Sequence, residues 1–172
     1  MPPHIFEIAF CTGMVAAGLC DLKTRRVPNK LNIALFVGGL LVRVAVGGLA
    51  SMAWGIAGAA VGFVVLLVPF QIRWLGAGDV KLIMAAGAWL GPKAVAWAIL
   101  YGLAAGGLLS VIMTILGGRR HVREVANNIV ASFLTLSPPG VEERPPTKRV
   151  PMAVALGLAA IGVLAWQGGL HV

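Results

Sequence analysis

Apolar positions run almost unbroken along this chain, interrupted by short charged or glycine- and proline-rich breaks rather than alternating with polar ones. A window of about 20 residues, the length a helix needs to cross a bilayer, divides them into six segments: 5–20, 31–49, 52–70, 79–92, 94–116 and 151–167. Barrel strands would instead alternate polar and apolar side chains over about ten residues. The pattern therefore predicts an all-α, polytopic membrane protein with about six transmembrane helices. The fourth segment is short, so it begins at the glycine turn before it, tilts, or is covered by its neighbours. Residues 117–150 form the long polar connection. Within it Val122, Val125, Ile129, Phe133 and Leu136 recur at helical spacing, opposite Arg119, Arg123, Glu124, Asn127 and Asn128. That spacing predicts an amphipathic helix on the membrane surface, its arginines near anionic headgroups. The stretch SPPGVEERPP then breaks any helix before the last segment.

Composition strengthens the membrane reading. Hydrophobic residues make up 59% of the 172 positions and charged ones 12%, too few polar groups to cover a water-soluble globule. The opening MPPHIFEIAF has no basic run and reaches Asp21 without a small-residue cleavage site, which predicts a retained first helix. The net charge of +8 could suggest nucleic acid, but in a multispanning chain Lys and Arg first report orientation. Six spans place 12 basic residues at the 21–30, 71–78 and 117–150 side, Lys81 included, against Arg43 and Lys93 at the other. The basic side is cytoplasmic by that rule, both termini lie outside, and no nucleic-acid partner is expected. Trp54, Trp74, Trp89, Trp97 and Trp166 fall near span ends as interface anchors do, and Arg43 can snorkel outward from the second span. Cys11 and Cys20 would be about 900° and 13 Å apart on one helix, so they cannot bridge. No C-x-x-C pair is present, and neither a metal nor a cofactor is expected.

The candidate chemistry rests on two aspartates. Asp79 lies in LGAGDVKL at 75–82, just after a Gly-Ala-Gly turn, and Asp21 closes the first apolar run. An ionisable residue at a membrane edge is a functional candidate, because keeping it there is costly. Six spans put both carboxylates at one depth on the cytoplasmic side. Small residues (Gly13, Ala16, Ala17, Gly18; Ala85, Ala86, Gly87, Ala88) would let the first and fourth helices approach closely. Two neighbouring carboxylates share one proton, so one can act as base on water while the other donates to a carbonyl oxygen, the roles exchanging during turnover. Gly76 and Gly78 would let a substrate strand approach Asp79. Lys81 would tune or orient the pair, or snorkel into the cytoplasm. Pro28 and Asn29 would set the entry of the second helix, the proline as a rigid turn and the asparagine as its cap.

These residues carry a resemblance. GAGDVK at 76–81 resembles the Gly-x-Gly-Asp motif of intramembrane aspartic proteases, and DLKTRRVPN at 21–29 resembles the first active-site segment of type IV prepilin peptidases. KLIMAAGAWLG at 81–91 and KRVPMAVALG at 148–157 are also similar to that family. The resemblance implies one membrane-embedded peptidase domain over residues 1–172. It would be an inner-membrane endopeptidase removing the basic leader of a prepilin substrate at the cytoplasmic face, after a glycine. Asp21 and Asp79 would be the catalytic pair, supported by Gly76, Gly78 and Lys81, without cofactor or metal. Bifunctional members carry paired C-x-x-C motifs and an N-methyltransferase activity. This chain has no such cysteines and only a short connection after Asp21, so it is similar to the compact form associated with tight-adherence (Flp-type) pili, and methylation is not expected. Cys20 before Asp21 departs from the Tyr-Asp of the presenilin-like branch. The residues alone also leave open a proton-coupled carrier using the two acids as a relay, or a non-catalytic pilus assembly subunit. They do not indicate an oligomeric state.

Overall fold

The computed structural model describes residues 4–24, 27–71, 75–116 and 152–168, and every element among them is helical. In chain order these are α1 (His4–Thr24), α2 (Asn29–Gln71), α3 (Ala77–Leu90), α4 (Pro92–Leu116) and α5 (Met152–Trp166). The amphipathic helix expected within 117–150 lies outside the described residues, as does Trp74.

Glycine and proline punctuate the helices where their backbone chemistry demands. Gly48 has φ 67° and ψ −160°, conformations closed to other residues, and it breaks α2 into two arms. The first arm runs beside α3 in the same direction, with Asn32 at Gly78 and Gly39 against the Trp89 ring. The second runs back along it, with Gly62 against Ile83 and Gly58 against the Gly87 backbone. Gly91, at φ 82°, ends α3 by donating its N–H to the Gly87 carbonyl at 2.8 Å, and Pro92 opens α4. At the start of α2 it is the Pro28 carbonyl that accepts the Leu31 and Asn32 N–H groups, at 3.1 and 3.3 Å. Asn29, expected as the cap, is the first residue of the helix and turns its side chain to α3 instead.

α3 is the centre of the molecule. Val80, Leu82, Ile83 and the whole run Ala85–Leu90 are buried, so the short fourth segment is covered by its neighbours. The small residues expected to bring α1 onto α3 meet other partners. Gly87 faces Gly58 on α2, Gly13 faces Leu35, and Gly18 faces Val154 of α5. α5 lies antiparallel to both α1 and α4, with Gly157 on Met14 and Gly102 on Leu156. α1 reaches α3 through larger side chains, its Phe10 ring 5.8 Å from that of Trp89.

Two expectations are corrected at the end of α3. Arg43 does not snorkel outward: it is 2% exposed, and its guanidinium donates to the Ala88 and Trp89 carbonyls at 2.9 and 2.7 Å. A lone buried guanidinium would cost several kcal/mol. Here the last carbonyls of a helix, lacking intrahelical partners, accept its protons, so burial and helix termination are satisfied together. Trp89 is not an interface anchor. Its ring is buried and its Nε1 donates to the Leu35 carbonyl at 2.7 Å, whereas Trp54, Trp97 and Trp166 are exposed.

The outward surface is apolar, with Leu49, Val68, Leu116 and Trp166 all more than 60% exposed. α2 and the Pro92–Ile112 part of α4 are long and apolar enough to cross a membrane. Cys11 and Cys20 are unbridged and half-buried.

Candidate active site

Asp21 sits where α1 presents its buried stripe. Phe10, Met14, Ala17 and Asp21 follow one another by four, three and four positions and are buried, Asp21 at 7% exposure. A carboxylate thus occupies a position the helix otherwise gives to apolar side chains. Its Oδ2 accepts the Ala153 backbone N–H at 3.2 Å. Ala153 is the second residue of α5, whose first N–H groups have no intrahelical carbonyl. Asp21 therefore anchors the start of α5, where the helix dipole favours negative charge.

Asp79 is the third residue of α3 and half-buried. Its Oδ2 accepts the Gly76 N–H at 3.0 Å, closing the first turn of the helix in the absence of a capping side chain. Gly76 has φ −83°, so the turn itself does not require glycine. A methyl group at Gly78 would sit 3.8 Å from Val27, ordinary contact, while one at Gly76 would press on the Asp79 Oδ2 at 3.3 Å. Glycine at 76 thus lets the Asp79 carboxylate fold back onto the start of the helix.

The first turn of α2 holds that of α3 from the other side. Lys81 Nζ donates to Asn29 Oδ1 at 3.0 Å, and Asn32 Nδ2 donates to the Gly78 carbonyl at 3.4 Å. Lys81 is exposed, and the contact described for it runs to Asn29.

Asp21 and Asp79 lie at the same end of the helices, near enough for the charge of Asp21 to act on Asp79. Each has one oxygen anchored by a backbone N–H. The Ala153 N–H and Asn32 escaped sequence reasoning. Asn32 left no apparent signal. The buried stripe at 10, 14, 17 and 21 left no signal either, because α1 is apolar on its exposed face as well, at Ile8, Val15 and Leu19. A cavity of about 320 Å³ lined by Trp54, Leu90, Lys93, Ala94 and Gln167 lies at the opposite end of α3 and includes neither aspartate.

Residues 8–111, which include both aspartates, match the type IV leader peptidase family. A prepilin leader peptidase/N-methyltransferase of Burkholderia pseudomallei (strain 1026b) is 32% identical over 117 residues, covering 64% of this chain and 38% of that protein. A protein of the same description from Aeromonas hydrophila is 31% identical over 118 residues, covering 63% of this chain and 39% of its own length. The chain thus aligns with well under half of the curated relatives it matches. No solved structure matches it at a significant level.

Proposed function

Since this chain belongs to the type IV leader peptidase family, we propose that it is a membrane aspartic endopeptidase cleaving the leader of a type IV prepilin. The substrate is of the Flp type, and the cut falls at the cytoplasmic face of the bacterial inner membrane. One observation supports the reading: the aspartates of two helices far apart in sequence lie at one end of the fold, where the charge of Asp21 acts on Asp79.

In the proposed reaction one carboxyl is protonated and the other ionised. The ionised group takes a proton from water as the water oxygen bonds to the scissile carbonyl carbon, and the protonated group gives its proton to the carbonyl oxygen. Collapse of the resulting diol breaks the C–N bond. The roles reverse: one carboxyl protonates the departing amine, the other recovers a proton from the diol, and the starting state returns. Gly76 and Gly78 leave the side of Asp79 open to an extended substrate segment, and Lys81, tied to Asn29, steadies the turn that carries it. A basic leader suits the acidic pair it approaches.

The same reading places the chain across the bilayer six times, the two arms of α2 counting as separate spans. The basic side, with the dyad, faces the cytoplasm, and both termini lie outside. Apolar residues all round α2 and α4 suit contact with hydrocarbon. The transferase activity named for the relatives is not part of the proposal, because the connection from α1 to Asn29 is too short for a further domain. A proton-coupled carrier needs titratable groups beyond the dyad. Among the described residues the buried charge beyond it is Arg43, and a guanidinium does not release its proton.

The direct test incubates purified chain in micelles with a synthetic precursor bearing a basic leader, a glycine and an apolar helix. Mass spectrometry should find a new N-terminus after the glycine. An intact precursor in the presence of folded protein removes the reading.

A further inference from the structure

We propose that Asn32 is a positioning residue for Asp79 in the peptidase reaction above, on which this inference rests. Asn32 is 3% exposed, among the most enclosed polar side chains described. Its Nδ2 donates to the Gly78 carbonyl at 3.4 Å, and that carbonyl belongs to the peptide joining Gly78 to Asp79. One helical turn earlier on α2, Asn29 accepts Lys81. Residues three apart share a helix face, so α2 grips α3 at positions 78 and 81, on either side of the catalytic aspartate. The third tie, from the Gly76 N–H, holds the carboxylate itself. The turn so held starts among glycines, which order poorly unless tied. The Asn32 contact adds a tie from α2 to the peptide from which Asp79 projects.

A second observation says the amide is there for this purpose. Asn32 Oδ1 is buried and meets no hydrogen-bond partner among the described residues. An unsatisfied buried acceptor weakens a fold, and leucine has the same branched outline without one, at a larger volume. Hydrogen bonding alone therefore favours an apolar residue at this position. The amide is retained for the carbonyl it holds.

The test is Asn32→Leu in the full chain in micelles, reading kcat, KM and the melting temperature together. The expected variant melts at or above the parent, binds precursor with KM within about twofold, and loses about ten- to a hundredfold in kcat, as misplacement of a reacting group does. An unchanged kcat overturns the proposal. So does a lower melting temperature in both Asn32→Leu and the smaller Asn32→Ala, since the amide then serves stability rather than leucine overfilling the site, and so does a rise in KM alone, since Asn32 then contacts substrate. A parent that cleaves nothing removes the peptidase reading as a whole, whereas a cleaving parent with a fully active variant removes this inference only.

Discussion

Each aspartate accepts a backbone N–H, and that fixes which substitution tests it cleanly. Asparagine keeps an oxygen to accept from Ala153 or Gly76 but cannot serve as a carboxyl acid or base. Asp21→Asn and Asp79→Asn should each leave the fold intact and cut precursor cleavage by about 100- to 10,000-fold. A co-expressed precursor run on a gel reads this out, and strong processing by either variant rules out the dyad. Asp21→Ala should cost about 1 kcal/mol of stability in addition, because the start of α5 loses its anchor. Gly78→Ala separates fold from approach: the methyl has room, and the helix gains up to about 1 kcal/mol of propensity. If substrate runs past Gly78, the variant's kcat/KM should nevertheless fall about tenfold, and full activity would show that approach does not run past Gly78. A chelator should leave the rate unchanged, since both proton transfers are assigned to carboxyl groups; inactivation reversed by added zinc would show a metal doing that work.

At the scale of the helix, α3 is held at both ends by groups on α2. Asn29 and Asn32 take the first turn, and Arg43 takes the last carbonyls. Arg43→Leu should destabilise the fold by about 3 kcal/mol, because two buried carbonyls lose charge-assisted partners. Unfolding in mixed micelles measures it, and a loss below about 1 kcal/mol would mean those carbonyls find other donors. Cleavage should then fall only as far as the folded population does, since Arg43 is at the far end of α3 from Asp79. The apolar runs foretold where these helices lie, including the break at Gly48. The anchors were not foretold: Arg43 read as an outward snorkeller because sequence alone does not reveal that carbonyls 45 positions away close over it.

Across the whole molecule, the proposed orientation puts Thr24 and Ala77, both exposed, on the cytoplasmic side. Cysteines placed there in a cysteine-free background should both react with an impermeant thiol reagent only after the inner membrane is opened. Labelling of one from each side would break the six-span arrangement. The contact between α1 and α5 matters at this scale too, because Asp21 rests on a helix outside the matched 8–111 stretch. Any displacement of α5 should therefore reach the dyad directly.

Helicity, apolar segment boundaries and the two acidic positions were legible because each depends on local terms: the period of side chains around a helix, the backbone freedom of glycine and proline, and the cost of charge beside apolar runs. The partners of those acids were not. Which N–H meets Asp21, which amide holds the peptide before Asp79, and which glycine lets α3 press on α2 depend on how separate helices dock. Docking is governed by shape matching summed over many weak contacts between residues distant in sequence. The small residues of α1 and α3 illustrate the limit. They announced close packing, but only the assembled fold decided that Gly87 meets Gly58 and Gly18 meets Val154.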